Sequence, residues 1–246
     1  MEGIRIPKTL GKCPLVDALL EIRFSSNFDK SVIFGLVYSL VKDSYPGRVV
    51  NLPLSQIPAQ IRDNDPNLQF KPLYRLEGDD TILQIGTDVI CLSSRIPYIG
   101  WESLSQKALA IINKLFTAGV IKDVIRLGHR YVNFFEGDIA NQLNMTFEFA
   151  HHYNIATNLF RTEIIDGEFI STLQYSNSAE YRPNQAVPNA VKRGCLIDID
   201  TFRVYKDNYF LLNIKSEIDA AHLCEKTLFY SLLKPKFIQE LVPQYD

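Results

Sequence analysis

Asp198 and Asp200 stand one residue apart in a stretch, residues 195–204, whose alternation reads as a β-strand. Both carboxylates therefore leave the chain on one side, and Ile197 and Ile199 leave it on the other. Carboxylates at that spacing can hold a divalent metal, or can be solvated charges facing arginines. With no third carboxylate or histidine close in sequence, ion pairing is the favoured reading and no metal is expected. The same parity puts Arg126, Gly128 and Arg130 on one face of another strand, and Glu21 and Arg23 on one face of a third. If these strands pair, that face becomes a ladder of alternating charge of the sort that fixes strand register. Glu21, Arg126 and Asp198 can thus form a structural ladder or a site, and a polar face holding two arginines can also take an anionic ligand.

His222 lies beside a helical stripe of Ile218, Ala221, Cys224, Leu228 and Leu232. A buried hydrogen-bonding role is favoured over catalysis, because no nucleophile can be placed next to it. His129 shares the strand face of Leu127 and Tyr131 and reads as a half-buried imidazole, while the adjacent His151 and His152 read as polar loop residues. Trp101, between a glycine and a helix start, reads as a core anchor, with an aromatic platform for a base or ligand as the alternative. The common catalytic motifs fail on inspection. Gly11-Lys12 is followed by Cys13 and lacks the earlier glycine of a P-loop, and there is no G-x-S-x-G elbow, H-E-x-x-H helix or dinucleotide-binding glycine triplet. Glu21-Ile22-Arg23 approaches a nuclease E-x-K but has no lysine. These absences weigh against an enzyme, and no cofactor is expected.

The elements that must position these residues follow from periodicity. Leu20, Ile22 and Phe24 alternate with Glu21 and Arg23, and a helix carrying Ile33, Leu36, Val37, Leu40 and Val41 comes next, capped by Asn27 or Asp29. Residues 51–67, with three prolines, read as a loop; strands are expected at 68–76, 81–85 and 89–93. A helix from Trp101 stops at Gly119, and a long strand spans 124–135. Met145, Phe147 and Phe149 alternate as in another strand, and Asp166-Gly167 is a hairpin turn between two more. Residues 176–194 read as a polar loop, and a last helix starts near Ser216, whose pairing with Asp219 resembles a capping box.

Strands outnumber helices and several are joined by short turns, so the expected class is α+β: a largely antiparallel sheet with helices segregated to one side. A single domain over residues 1–246 is favoured. The order strand, strand, helix occurs twice, which allows a pseudo-repeat with halves 1–138 and 139–246.

The 246 residues are 46% hydrophobic and 22% charged, with 12 glycines and 12 prolines, which excludes disordered and low-complexity classes. A net charge of -2 is far from the basic footprint of a nucleic-acid coat, so nucleic acid is not indicated, although Arg182, Lys192 and Arg193 leave room for a local patch. No signal-like or membrane-spanning stretch is evident, and the longest apolar run is about half a span of roughly 20 residues. Cys13, Cys91, Cys195 and Cys224 are isolated, which fits buried or half-buried thiols in a reducing cytoplasm.

Four segments, taken together, carry a family resemblance: Pro14 to Phe24 (PLVDALLEIRF), Gly100-Trp101-Glu102, Arg126 to Asn133 (RLGHRYVN) and Leu196 to Asp200 (LIDID), the last ahead of a helix with His222 and Phe229. The chain resembles a sporadically distributed prokaryotic family often encoded in mobile or defence-related regions, with His129 where that family has an apolar residue. The resemblance implies a non-secreted accessory protein of a defence or toxin-related locus and carries no activity with it. The leading expectation is a non-enzymatic binding subunit with a protein partner encoded nearby; a homo-oligomer also fits. The rivals are a hydrolase or nuclease using Asp198, Asp200 and His222, and a sensor of an anionic small molecule or nucleic-acid end using Arg126, Arg130 and Trp101.

Overall fold

The structure, a computed structural model, describes residues 5–146, 156–183 and 191–245. In chain order the strands and helices are β1 (Thr9–Leu10), β2 (Leu15–Ser25), α1 (Lys30–Val41), β3 (Val50–Asn51), α2 (Ala59–Asn64), β4 (Tyr74–Glu77), β5 (Thr81–Ile85), β6 (Val89–Ser94) and α3 (Trp101–Thr117). There follow β7 (Asp123–Glu136), β8 (Leu159–Asp166), β9 (Phe169–Tyr181), β10 (Lys192–Val204), α4 (Tyr209–Leu212), α5 (Ile214–Leu232), α6 (Pro235–Glu240) and β11 (Pro243–Gln244). Nine strands form an antiparallel sheet in the order β3-β4-β5-β6-β2-β7-β10-β9-β8, and β1 pairs with β11. The fold is α+β.

The sheet order contains a repeat. The meander β4-β5-β6 leads into α3 and places β6 beside β2; the meander β8-β9-β10 leads into α5 and places β10 beside β7. The two helices end at Thr117 and Leu232, so the doubled element order read from sequence is present in the topology. Chain contacts cluster into two units, neither a contiguous half: one is Met1–Val16, Arg130–Thr201 and His222–Asp246, the other Asp17–His129 and Phe202–Ala221.

In the Asp17–His129 unit, β2 and β6 are in register as Leu20↔Leu92, Ile22↔Ile90 and Glu21↔Cys91. Ala18, Leu20, Ile22 and Phe24 are buried, and α1 and α3 bury Ile33, Val37, Val41, Leu104, Ala108, Ile111 and Leu115. Each such Val, Leu, Ile or Phe side chain contributes about 1.5–3 kcal/mol, and the alanines less. Of the two expected caps for α1, Asp29 serves, its carboxylate accepting from the Ser31 N–H at 2.8 Å. Gly119, at φ 71°, ends the turn after α3 in the left-handed region that favours glycine.

In the unit containing Arg130–Thr201, the β8–β9 hairpin runs in register from Leu159↔Ser176 to Asp166↔Phe169 around Gly167, at φ 57°. Its core joins Phe135, Leu173, Tyr175, Cys195, Ile197 and Ile199 from the strands to Phe229 and Tyr230 of α5, Phe237 and Ile238 of α6, and Leu233 between the two helices. Helices α5 and α6 thus pack on the face that Phe135, Ile197 and Ile199 present, in keeping with the expected segregation of helices to one sheet face.

Several local expectations are corrected. Residues 51–67 are not all loop: Pro58 ends an extended step and α2 follows, with a 3-10 turn at Pro53–Gln56. Residues 68–73 are turn and coil, so β4 starts only at Tyr74. The polar stretch after Ser176 continues as strand to Tyr181, because alternation of Tyr175, Asn177 and Ala179 suits an extended chain as well as a loop. Ser216 lies inside α5, bonding back to the Asn213 carbonyl at 2.9 Å, so it caps nothing. Cys13 is exposed rather than buried, and all four thiols are free. The strand expected around Phe147 and Phe149, and His151 and His152, lie outside the described residues. No helix among the described residues is long and apolar enough to cross a membrane.

Gly194 at the start of β10 shows how closely this unit is packed, since a Cβ there would overlap the carbonyl of Phe135. Gly194→Ala is expected to cost at least about 2 kcal/mol, read as a lower urea midpoint at unchanged m-value.

Candidate functional site

The open face of β2 and its neighbours carries the charges anticipated for a ladder. Glu21 accepts from Arg126 Nη1 at 2.6 Å and from Arg23 Nε at 2.7 Å. The Arg126 guanidinium lies over the Phe202 ring, 4.4 Å from its centroid, and only glycine at 128 leaves room for it. Arg126 and Glu21 side chains are just 11% and 15% exposed, so the pair is largely desolvated. Cys91, opposite Glu21 in register, is buried, and burial together with that carboxylate pushes its thiol pKa up. It is therefore an inert thiol rather than a nucleophile.

In the other unit Arg130 makes a two-point contact with Asp198, Nε to Oδ1 at 2.8 Å and Nη2 to Oδ2 at 2.6 Å. This is the fork geometry that Arg and carboxylate prefer. Arg130 is 42% exposed there and Asp198 14%. Asp198 and Asp200 project from the β10 face opposite Ile197 and Ile199, and Ile197 and Ile199 pack with Phe229 of α5. Lys192 and Arg193 are also paired, with Glu136 at 2.7 Å and Glu180 at 3.1 Å.

Trp101 opens α3. Its Nε1 donates to Asp219 Oδ1 at 3.2 Å, Asp219 also pairs with Lys215, and the indole meets the His129 ring edge-on at 5.0 Å between centroids. His129 is fully buried, not half-buried, and leaves β7 on the face opposite Arg126. Arg126 and the Trp101 indole thus lie on opposite faces of the strand.

His222 is half-buried on α5, its Nδ1 3.4 Å from the Tyr131 hydroxyl and the two rings edge-to-face. Burial, with the Lys226 ammonium adding to it, pushes its pKa down to about 3. It is a neutral, weakly basic imidazole at neutral pH. Because its helix packs on the Ile197 and Ile199 face of β10, it is not brought together with Asp198 and Asp200. The residues proposed for hydrolysis form no constellation.

One turn further along α5 is a residue that sequence reading passed over. Glu225 is fully buried, and neither carboxylate oxygen has a hydrogen-bond partner among the described residues. Burial drives its carboxyl well above the usual carboxylate range. Asn133, on the β7 face of Tyr131, is 2% exposed, and its amide nitrogen likewise has no partner among the described residues. The His222-x-x-Glu225 spacing was visible, since residues three apart share a helix face.

No family model matches the chain, and comparison with curated proteins returns no match.

The two arginine pairs differ in burial, and their energies should differ accordingly. Double-mutant cycles are expected to give about 1 kcal/mol or less for Arg130–Asp198, whose guanidinium is solvated, and about 2–3 kcal/mol for Glu21–Arg126. Equal couplings from urea unfolding would contradict this. His222 makes a separate prediction. Its folded pKa lies below the unfolded value, so its contribution is fully present above about pH 6.5 and is lost as pH falls toward 3. Measured against His222→Gln, wild-type stability should fall by up to about 1.4 kcal/mol per pH unit through that window, and should run parallel above pH 7.

Proposed function

We infer that the chain is a non-enzymatic binding subunit that engages an extended segment of a protein partner along β8. The observation that carries this reading is the edge itself. Among the described residues β8 ends the sheet, is eight residues long and exposes Leu159 at 70% and Ile165 at 77%. Nothing among the described residues pairs with its outer side, and the opposite edge strand, β3, is only two residues long. Long edges with apolar side chains invite another strand, and proteins that do not use them cover, shorten or charge them. An added strand would draw affinity from main-chain hydrogen bonds and specificity from alternate side chains.

The charge arrangement supports binding by shape over binding by field. Arg126 and Arg130 each hold a carboxylate, so an anionic ligand would have to displace Glu21 or Asp198. The resemblance to the prokaryotic family adds that the partner is encoded nearby, in a defence or toxin-related locus, and that the protein works in the cytoplasm.

The test is co-expression with the products of adjacent genes and affinity recovery, comparing wild type with Leu159→Lys/Ile165→Lys. A stable complex is expected for wild type and its loss for the variant, with Tm changed by no more than about 2 °C because both positions are exposed. Failure to recover any complex overturns the reading. A mass doubling of the isolated protein in light scattering, abolished by the same variant, would replace the partner with a second copy of the chain.

A further inference from the structure

We propose that His222 and Glu225, one turn apart on α5, hold a divalent transition-metal ion in the interior of the Arg130–Thr201 unit. Ligand atoms of the two side chains lie within 4.8 Å of one another, close enough for one ion to reach both. The proposal goes beyond the binding role and departs from the expectation that the protein carries no metal.

The reason starts from Glu225. An ionised carboxylate taken out of water costs several kcal/mol unless a cation compensates it. Protonated, it still forfeits its hydrogen bonds, at about 1–3 kcal/mol. A buried Glu with no hydrogen-bond partner among the described residues is therefore the most expensive polar group in this interior. Lys226, beside it in sequence, favours the ionised carboxylate electrostatically, but its ammonium bonds the Lys8 carbonyl at 3.2 Å, it makes no hydrogen bond to either Glu225 oxygen, and burial outweighs its charge. A bound divalent ion reverses the sign of the cost, because it favours the ionised carboxylate and the neutral imidazole together.

The neighbours fit that role. If His222 Nδ1–H donates to the Tyr131 oxygen, Nε2 is left with a lone pair, which is the arrangement that orients metal-bound histidines. Tyr131 and Asn133 bring further oxygen-bearing side chains to the same strand face, where most other buried residues are hydrocarbon. One imidazole and one carboxylate select the borderline and harder transition ions, Zn²⁺, Co²⁺, Mn²⁺ or Fe²⁺, over thiophilic Cu⁺. The site is buried among core side chains, so its first consequence is stability.

The experiment uses the full chain after chelation and desalting, titrated with CoCl₂ and ZnCl₂ by calorimetry and visible absorption. One Co²⁺ per chain with d–d bands, displacement by Zn²⁺ and a rise in Tm are expected. Glu225→Gln and His222→Gln should each weaken binding at least about tenfold, and Asp198→Asn should leave it unchanged. The proposal is overturned if wild type shows no saturable binding, if Glu225→Gln binds as wild type does, or if Asp198→Asn abolishes binding. A Glu225 that is merely protonated gives the reverse pattern, in which Glu225→Gln melts at or above wild type and metal shifts neither, and this too overturns it. Should Glu225→Gln fail to fold, the His222→Gln arm decides.

Discussion

The two-residue period of β7 governs both faces of the chemistry described above. One parity sends out Arg126, Gly128 and Arg130; the other sends Leu127, His129, Tyr131, Asn133 and Phe135. A slip of one residue would exchange the two sets, putting guanidiniums among the hydrocarbon that now surrounds Leu127 and Phe135. Such an exchange is prohibitively costly, so the register is strongly specified. The ion pairs add to that specification locally: Glu21 on β2 holds Arg126, and Asp198 on β10 holds Arg130, each by short charge-assisted bonds. Gly128 belongs to the same constraint, because any side chain there would displace the Arg126 guanidinium. Charges that looked like candidate chemistry are thereby committed to one another.

Elements whose signal is local were legible before the fold was known. The Asp166-Gly167 turn, the Asp29 cap, the Gly119 stop and the alternation of β2 and β7 each depend on a few adjacent residues, and each stands near the expected position. What escaped depended on tertiary context. Helix α2 lies in a proline-rich stretch whose composition says loop, and Ser216 matched a capping pattern one turn too late because α5 begins at Ile214. The α5 stripe is the instructive failure. The expected apolar stripe is buried at Ile218, Ala221 and Leu232, but it includes the less buried Cys224 and Leu228 and passes over Glu225, which is buried as fully as Ile218. A charged residue is rarely core, so periodicity counted over apolar types alone rotates the helix by a fraction of a turn.

The repeated topology explains why length and composition suggested a single unit while contacts divide into two. Each meander and its helix need a sheet partner, and β2 and β7 supply it for their respective meanders. Neither unit is a continuous stretch of chain, because long strands such as β7 and β10 contribute residues to both. No residue motif repeats with the topology, which is why element order rather than sequence similarity carried that signal.

Two buried glutamates on the same helix show what separates a structural charge from an unexplained one. Glu217, 6% exposed, accepts from the Tyr205 hydroxyl at 2.6 Å and from Arg203 Nη1 at 2.9 Å. The Arg203 guanidinium is in turn spread over the Tyr205 and Tyr209 rings, at 5.2 and 5.0 Å. That carboxylate is neutralised and hydrogen-bonded, so it joins α5 to the end of β10 at little net cost. Glu225 has the same side chain and deeper burial without such donors. A chain that satisfies Glu217 so fully has the means to satisfy Glu225, and replacing it by an apolar residue would be cheaper still. Its place beside His222 is therefore best accounted for by a cation that both side chains recognise.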